Sequence, residues 1–273
     1  TASSLLARDA SLDIALIVPA DTHYYQPGWT MVGAGVFQPE STARSMAAVI
    51  PAKARWIKAA VEGFDPANNR VMLNDGQVIS YEQLVVCPGL KLDWDAIDGL
   101  RETLGRHGVT SNYRYDLAPY TWQLTQQLKQ GRALFTQPPM PIKCAGAPQK
   151  AMYLSCDHWA RSARLPHINT EFHNAGGVLF GVAEYVPALM EYVRKYGIDL
   201  KFGSKLVAVD GPRQRATFVR TLADGSSETT EEAFDIAERE RVDEIFEAIG
   251  FRASQVFAAS PARAFRFRFP WLL

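Results

Sequence analysis

The sequence predicts an α/β chain assembled from βαβ units, and three observations carry that prediction. Short β-branched apolar runs such as Asp13–Val18 suit buried parallel strands, which are hydrophobic on both faces. Helical spacing follows or precedes several of them. A hairpin meander over residues 56–89 interrupts the alternation once.

The elements follow in order. Residues 1–8 read as the tail of a helix, and Asp13–Val18 as a strand ended by Pro19. Trp56–Gly63 reads as one strand, and Asp65-Pro66-Ala67-Asn68-Asn69 has turn chemistry. Arg70–Leu73 and Gln77–Tyr81 flank Asp75-Gly76, a strong two-residue hairpin signal. Leu84–Cys87 reads as a buried strand stopped by Pro88-Gly89.

A second α/β unit begins with a helix over Leu117–Gln130 and a strand over Arg132–Thr136. A Pro-rich loop over Gln137–Ala147 leads to a helix with Pro148 at its first position. Ile168–His173 and Gly177–Phe180 read as strands, and Ala183–Tyr196 as a helix ending at Gly197. Leu200–Val209 reads as another strand. A charged stretch over Ala237–Gly250 has helical character, and beyond it Arg alternates with Phe.

Composition excludes several classes. The apolar fraction is 47% in 273 residues, enough for one large or two medium cores. Lys+Arg and Asp+Glu both number 29, so the basic excess that nucleic acid binding requires is missing. Three cysteines are too few for a disulfide scaffold. No Cys-x-x-Cys occurs and the five histidines are scattered, which argues against a metal site. No apolar run reaches the ~18 residues of a membrane span. The first residues lack the basic and apolar regions of a secretory signal, and the missing initiator Met points to a start upstream.

Cys144 is the candidate reactive residue. It lies in the Pro-rich loop about four residues before the predicted helix, beside Lys143. A cation and the positive pole of a helix both favour a thiolate. Ala145, Gly146 and Ala147 allow close approach of backbone and ligand. Cys156 sits roughly 12 Å along that helix. A disulfide needs Cα atoms within about 7 Å. Cys156 is therefore a poor partner for Cys144 and is expected in the core. Cys87, at a strand end where cofactors dock in such sheets, reads either as a cofactor neighbour or, by the more common fate of a free cysteine, as a small core hydrophobe.

Four segments carry a resemblance. They are His23-Tyr24-Tyr25-Gln26-Pro27 with Trp29-Thr30-Met31-Val32-Gly33, then Tyr81 to Gly89, then Pro141-Ile142-Lys143-Cys144-Ala145-Gly146-Ala147-Pro148-Gln149-Lys150, and finally Met152 to Trp159. Together they resemble sulfide:quinone oxidoreductases, flavoproteins of the two-dinucleotide-domain superfamily, in order over about residues 1–235. The resemblance implies Rossmann-like FAD/NAD(P)-binding domains with three-layer ββα/βαβ architecture. It implies a partial first domain over 1–105, a second over 106–235 and an atypical tail over 236–273, with the family's sequence cut at both ends. It implies FAD as cofactor, with Gln26, Val61 and Gly89 near it, and the aromatic residues Tyr24, Tyr25 and Trp29 either as flavin wall or as core.

The implied reaction is oxidation of hydrogen sulfide, with two electrons passed to a membrane quinone. In this family sulfide attacks a cysteine disulfide or trisulfide, one cysteine becomes a persulfide, and a sulfur acceptor clears it. Cys144 matches the persulfide cysteine. The family docks on a bacterial or mitochondrial inner membrane surface; its docking segment is not matched here, so the chain is expected to be soluble.

Departures matter as much. No Gly-x-Gly-x-x-Gly occurs, and Val18 stands where an acidic residue would bind a ribose hydroxyl. No second redox cysteine is matched after Asp235. Two alternatives therefore stand beside the first reading. One is a fragment that does not retain FAD. The other is a different superfamily member, such as an NADH:quinone reductase or a flavocytochrome sulfide dehydrogenase subunit. The Pro-Ile-Lys-Cys segment argues against an NADH:quinone reductase.

Overall fold

A computed structural model describes residues 1–222 and 224–235. The charged stretch Ala237–Gly250 and the Arg–Phe tail lie outside the described residues. The chain divides into two compact units: Thr1–Gln26 with Gln38–Lys91, and Pro27–Phe37 with the residues from Leu92 onward.

The first unit opens with helix α1 (Ala2–Arg8) and strand β1 (Ala15–Ile17). Strand β2 (Thr22–Tyr24) pairs antiparallel with β3 (Ala43–Ser45). Strand β4 (Arg55–Ile57) lies parallel to β1, with Trp56 opposite Leu16. The Trp56 indole N–H donates to the Val18 carbonyl at 2.9 Å and ties the ends of the pair together.

Strands β5 (Val61–Asp65), β6 (Arg70–Leu73) and β7 (Val78–Ser80) form the expected antiparallel meander. The Asp65 carboxylate accepts from the Asn68 N–H and side-chain amide, closing the β5–β6 turn. At the β6–β7 turn Leu73 exchanges backbone bonds with Gln77 and Gly76. Val71 and Leu73 are the buried face of β6.

Two expectations fail in this unit. The stretch Trp56–Gly63 is not one strand. It divides because Arg55–Ile57 serves the parallel pair, whereas Val61 begins the meander. The run Leu84–Cys87 forms no strand, and Leu84, Val85 and Val86 are 38%, 62% and 55% exposed. A strand exists only by pairing with a neighbour, and the described parallel sheet of this unit holds β1 and β4 alone. Cys87 is consequently exposed rather than a core residue.

The second unit holds the larger core. Trp29 and Val32, on the one-turn helix Trp29–Val32, pack with Ala118 and Tyr115, which explains why Pro27–Phe37 belongs here. Helix α2 (Ala118–Gln127) leads to strand β8 (Gly131–Gln137). Helix α3 (Gly146–Arg161) and strand β9 (Ile168–Asn174) follow, then helix α4 (Val186–Tyr196) and strand β10 (Asp199–Phe202). The three strands are parallel in the order β10, β9, β8, the βαβ pattern that the sequence predicts.

Helix α3 presents Met152, Cys156 and Trp159 at i, i+4 and i+7. All three are buried against Ile168 and Phe172 of β9, Val193 and Tyr196 of α4, and Leu179. Each large apolar side chain buried this way contributes about 1.5–3 kcal/mol. The Trp159 N–H donates to the Thr125 carbonyl at 2.8 Å, so α2 and α3 are joined by a satisfied polar contact within the core.

Antiparallel strands β11 (Ser204–Asp210), β12 (Arg215–Thr221) and β13 (Ser227–Ala233) complete the unit. The single strand expected over Leu200–Val209 is two strands, broken at Gly203, whose φ of +64° lies outside the β region. Gly177–Phe180 is irregular rather than a strand. The segment 92–105 joins this unit through β11: Asp98 exchanges backbone bonds with Val207 and Val209 at 3.0 and 2.8 Å. Gly99 permits that contact, because a Cβ there would lie 2.3 Å from the Val209 carbonyl oxygen. This pairing accounts for the place of the residues that follow Lys91 in the second unit.

Candidate functional site

Strand β8 ends at Gln137, and the loop that follows carries Cys144 to the start of α3. In parallel α/β sheets, ligands dock beyond the carboxyl ends of the strands, and β8 delivers the thiol to that side. Helix α3 begins at Gly146, two residues earlier than expected from Pro148. Pro148 sits in the first turn, where its missing N–H has no intrahelical partner to lose. Cys144 therefore stands two residues ahead of the helix, not four. No side chain caps this helix and its first turn contains no acidic residue. The positive end of the helix dipole is left for an anion.

The Cys144 backbone is held in an uncommon conformation. Its φ is +62°, left-handed for a residue with a Cβ. Its carbonyl accepts from the Ala147 N–H at 2.9 Å and from the Tyr113 hydroxyl at 3.4 Å. The same hydroxyl donates to the Lys143 carbonyl at 2.8 Å. Burial, then the nearness of Cys144, push the Tyr113 phenol up to about 12, so it stays a donor at neutral pH. Cys144 itself is exposed.

Cys156 lies inside α3, fully buried, and its thiol is pushed up to about 12 by burial, with the Thr170 hydroxyl 3.7 Å away. It is a core thiol. Of the aromatic trio, Trp29 is core, whereas Tyr24 and Tyr25 are 42% and 55% exposed.

The residues expected near a cofactor distribute unequally. Gln26, half-buried, closes the first segment of the first unit. Val61 opens β5 and is paired with Leu73. Gly89, with φ +81°, follows the irregular run after Val86, and a Cβ there would meet nothing within 4 Å. Cys144 belongs to the second unit.

A dinucleotide's pyrophosphate needs successive backbone N–H groups at a glycine-rich helix start. The chain contains no Gly-x-Gly-x-x-Gly, and Val18 brings no carboxylate to the end of β1. The residues present do not by themselves complete an FAD site. Among the described residues no group of three His, Cys, Asp or Glu side chains could hold a metal ion. No described helix is long and apolar enough to cross a membrane.

Tyr113 was not singled out by the sequence. It belongs to no element, and its partners are carbonyls 30 and 31 residues away.

No protein-family model matches the chain. Over 207 residues it is 39% identical to the mitochondrial sulfide:quinone oxidoreductase of Dictyostelium discoideum, covering 76% of this chain and 46% of that protein. The chain is a homologue of sulfide:quinone oxidoreductases. The mouse mitochondrial enzyme is 37% identical over 217 residues, covering 80% of this chain and 48% of the relative. The chain thus spans about half the length of the curated relatives it matches.

Solved structures agree on the fold. The sulfide:quinone oxidoreductase of Aquifex aeolicus superposes with a TM-score of 0.68 at 19% identity, over 94% of this chain and 58% of that one. NDH2 of Plasmodium falciparum, solved with NADH, gives 0.56 at 11% identity over 93% and 54%. The architecture is the α/β, Rossmann-type fold of such flavoproteins.

Proposed function

We propose that this chain is the sulfide-handling portion of an FAD-dependent sulfide:quinone oxidoreductase, with Cys144 as the residue that carries sulfide sulfur. The observation that supports it is the setting of Cys144. An exposed thiol stands two residues before an uncapped sixteen-residue helix, in a backbone conformation fixed by Tyr113. When the sulfur acceptor takes the outer sulfur of the persulfide, Cys144 leaves as a thiolate, and the helix start is where that anion is stabilised.

The chemistry is thiol–disulfide exchange extended to inorganic sulfide. With Cys144 held in a disulfide or trisulfide, hydrosulfide attacks, one S–S bond breaks and a thiolate leaves. Cys144 retains the added sulfur as a persulfide, and a sulfur acceptor removes it. Cys156 has no part in this, because its thiol is buried in the core. FAD supplies a two-electron acceptor when bound, and the electrons end on a quinone at a membrane surface. Gln26, Val61 and Gly89 are the proposed flavin neighbours.

The test is anaerobic titration of the flavin-containing protein with sulfide. The flavin absorption band bleaches in the parent and does not bleach in Cys144→Ser. A Cys144→Ser protein that bleaches like the parent removes this cysteine from the reaction. A protein that never takes up flavin supports the second reading, a fragment without the cofactor, which the missing Gly-x-Gly-x-x-Gly favours.

A further inference from the structure

Strands β1 and β4 run parallel, so their carboxyl ends lie together; Val18 follows β1 there and Lys58 follows β4. In a dinucleotide-binding sheet this is where a carboxylate accepts from the adenosine ribose. The Val18 side chain has no polar atom, so only its backbone can answer a hydroxyl. Both backbone groups are already used. The N–H donates to the Ile57 carbonyl at 3.0 Å, and the carbonyl accepts from the Trp56 indole at 2.9 Å. A carbonyl can take a second donor, but a neutral acceptor gives roughly half the strength of a carboxylate.

Asp21 is the first carboxylate beyond Val18, and it does not replace the missing one. Three residues of extended chain span up to about 10 Å, far more than a hydrogen bond. The Asp21 carbonyl accepts from the Met46 N–H at 2.7 Å, which ties its backbone to another segment. Its carboxylate lies 2.6 Å from Lys58 Nζ. That pair is exposed and contributes little to stability, but it turns the carboxylate to the end of β4 and neutralises it there.

We propose, on the FAD reading above, that this chain takes FAD without recognising its adenosine ribose, and that Val18 is the residue that removes the recognition. A ribose lacking its 2′-hydroxyl is accepted as readily as the natural one. The end of β1 therefore adds no selectivity for the adenosine half of the cofactor.

Equilibrium dialysis of the whole chain against FAD, and against FAD whose adenosine ribose lacks the 2′-hydroxyl, tests this. The two dissociation constants agree within about twofold, since no charge-assisted hydrogen bond is lost. Asp21→Asn leaves both at their parental values. Val18→Glu, with its fold checked by circular dichroism, binds FAD about tenfold tighter than the analogue, the effect of one hydrogen bond to a charged group. A preference of about tenfold for FAD in the parent overturns the proposal and leaves the flavoprotein reading standing; if Asp21→Asn abolishes that preference, Asp21 is the ribose ligand. Equal binding of the two compounds by a folded Val18→Glu also overturns it, because the end of β1 would then not face the ribose. Where Val18→Glu does not fold, the parent and Asp21→Asn decide. A chain that binds neither compound overturns the proposal and the FAD reading together.

Discussion

The Tyr113 hydroxyl donates to the Lys143 carbonyl at 2.8 Å, and so a side chain thirty residues upstream sets the path of the chain into Cys144. The loop before α3 is rich in proline, with Pro138, Pro139 and Pro141. Tyr113→Phe keeps the ring and removes only the hydroxyl. The expected outcome is a loss of about 1 kcal/mol in urea unfolding and slower sulfide-dependent bleaching of the flavin in the flavin-containing protein, the aromatic packing being unchanged. Parental stability and rate together would show that the hydroxyl does not hold the loop.

The left-handed backbone at Cys144 predicts an asymmetry between two small substitutions. Glycine adopts a φ near +62° freely, whereas alanine pays the Cβ penalty. Cys144→Gly is therefore expected to be more stable than Cys144→Ala by about 1 kcal/mol. Equal urea midpoints would mean the strain is absent.

The three thiols should separate by reactivity. Cys87 and Cys144 are exposed and Cys156 is buried. A thiol reagent applied to the native chain is expected to modify Cys87 and Cys144 promptly and Cys156 only after denaturation. Cys156→Ala is expected to retain sulfide chemistry and to lose about 1 kcal/mol of stability. Rapid native labelling of Cys156 would contradict its placement.

His173 predicts the pH dependence of folding. Its ring stacks on Phe218 at 3.6 Å, and Nδ1 lies 2.8 Å from the Ser204 hydroxyl. Burial, and then Lys201, lower its pKa from 6.5 to about 4, against the pull of Glu171 and Glu232. The unfolded chain thus binds a proton that the folded chain refuses. The stability is fully present above 6.5 and is lost as pH falls through about 4. Burial tends to raise Glu171, but hydrogen bonds from Lys201 and Arg132 outweigh it and hold it below 4.5, so its contribution is lost in a more acidic window. His173→Gln should flatten the urea midpoint between these two values for His173. An unchanged slope would assign the dependence to another group.

Much of this fold was legible in the sequence, for reasons that differ by element. Strand β6 and the Asp75-Gly76 turn are local, and their chemistry is complete within ten residues. Helix α3 shows its buried face in Met152, Cys156 and Trp159. The errors fall where pairing decides. Leu84–Cys87 has strand composition but no strand beside it, and Leu200–Val209 divides because its two halves join different sheets. Strands β12 and β13 carry many polar residues and gave no apolar signal. In the site, Cys144 was readable from the segment around it. Tyr113 was not, because its part arises from a contact 30 residues away.

The most direct test is to locate the sulfur. The flavin-loaded protein is treated with sulfide in the absence of quinone, alkylated, digested and weighed by mass spectrometry. The peptide containing Cys144 should be heavier by one sulfur atom, and the Cys156 peptide should be unchanged. Sulfur found on Cys87 or Cys156, with none on Cys144, would contradict the account.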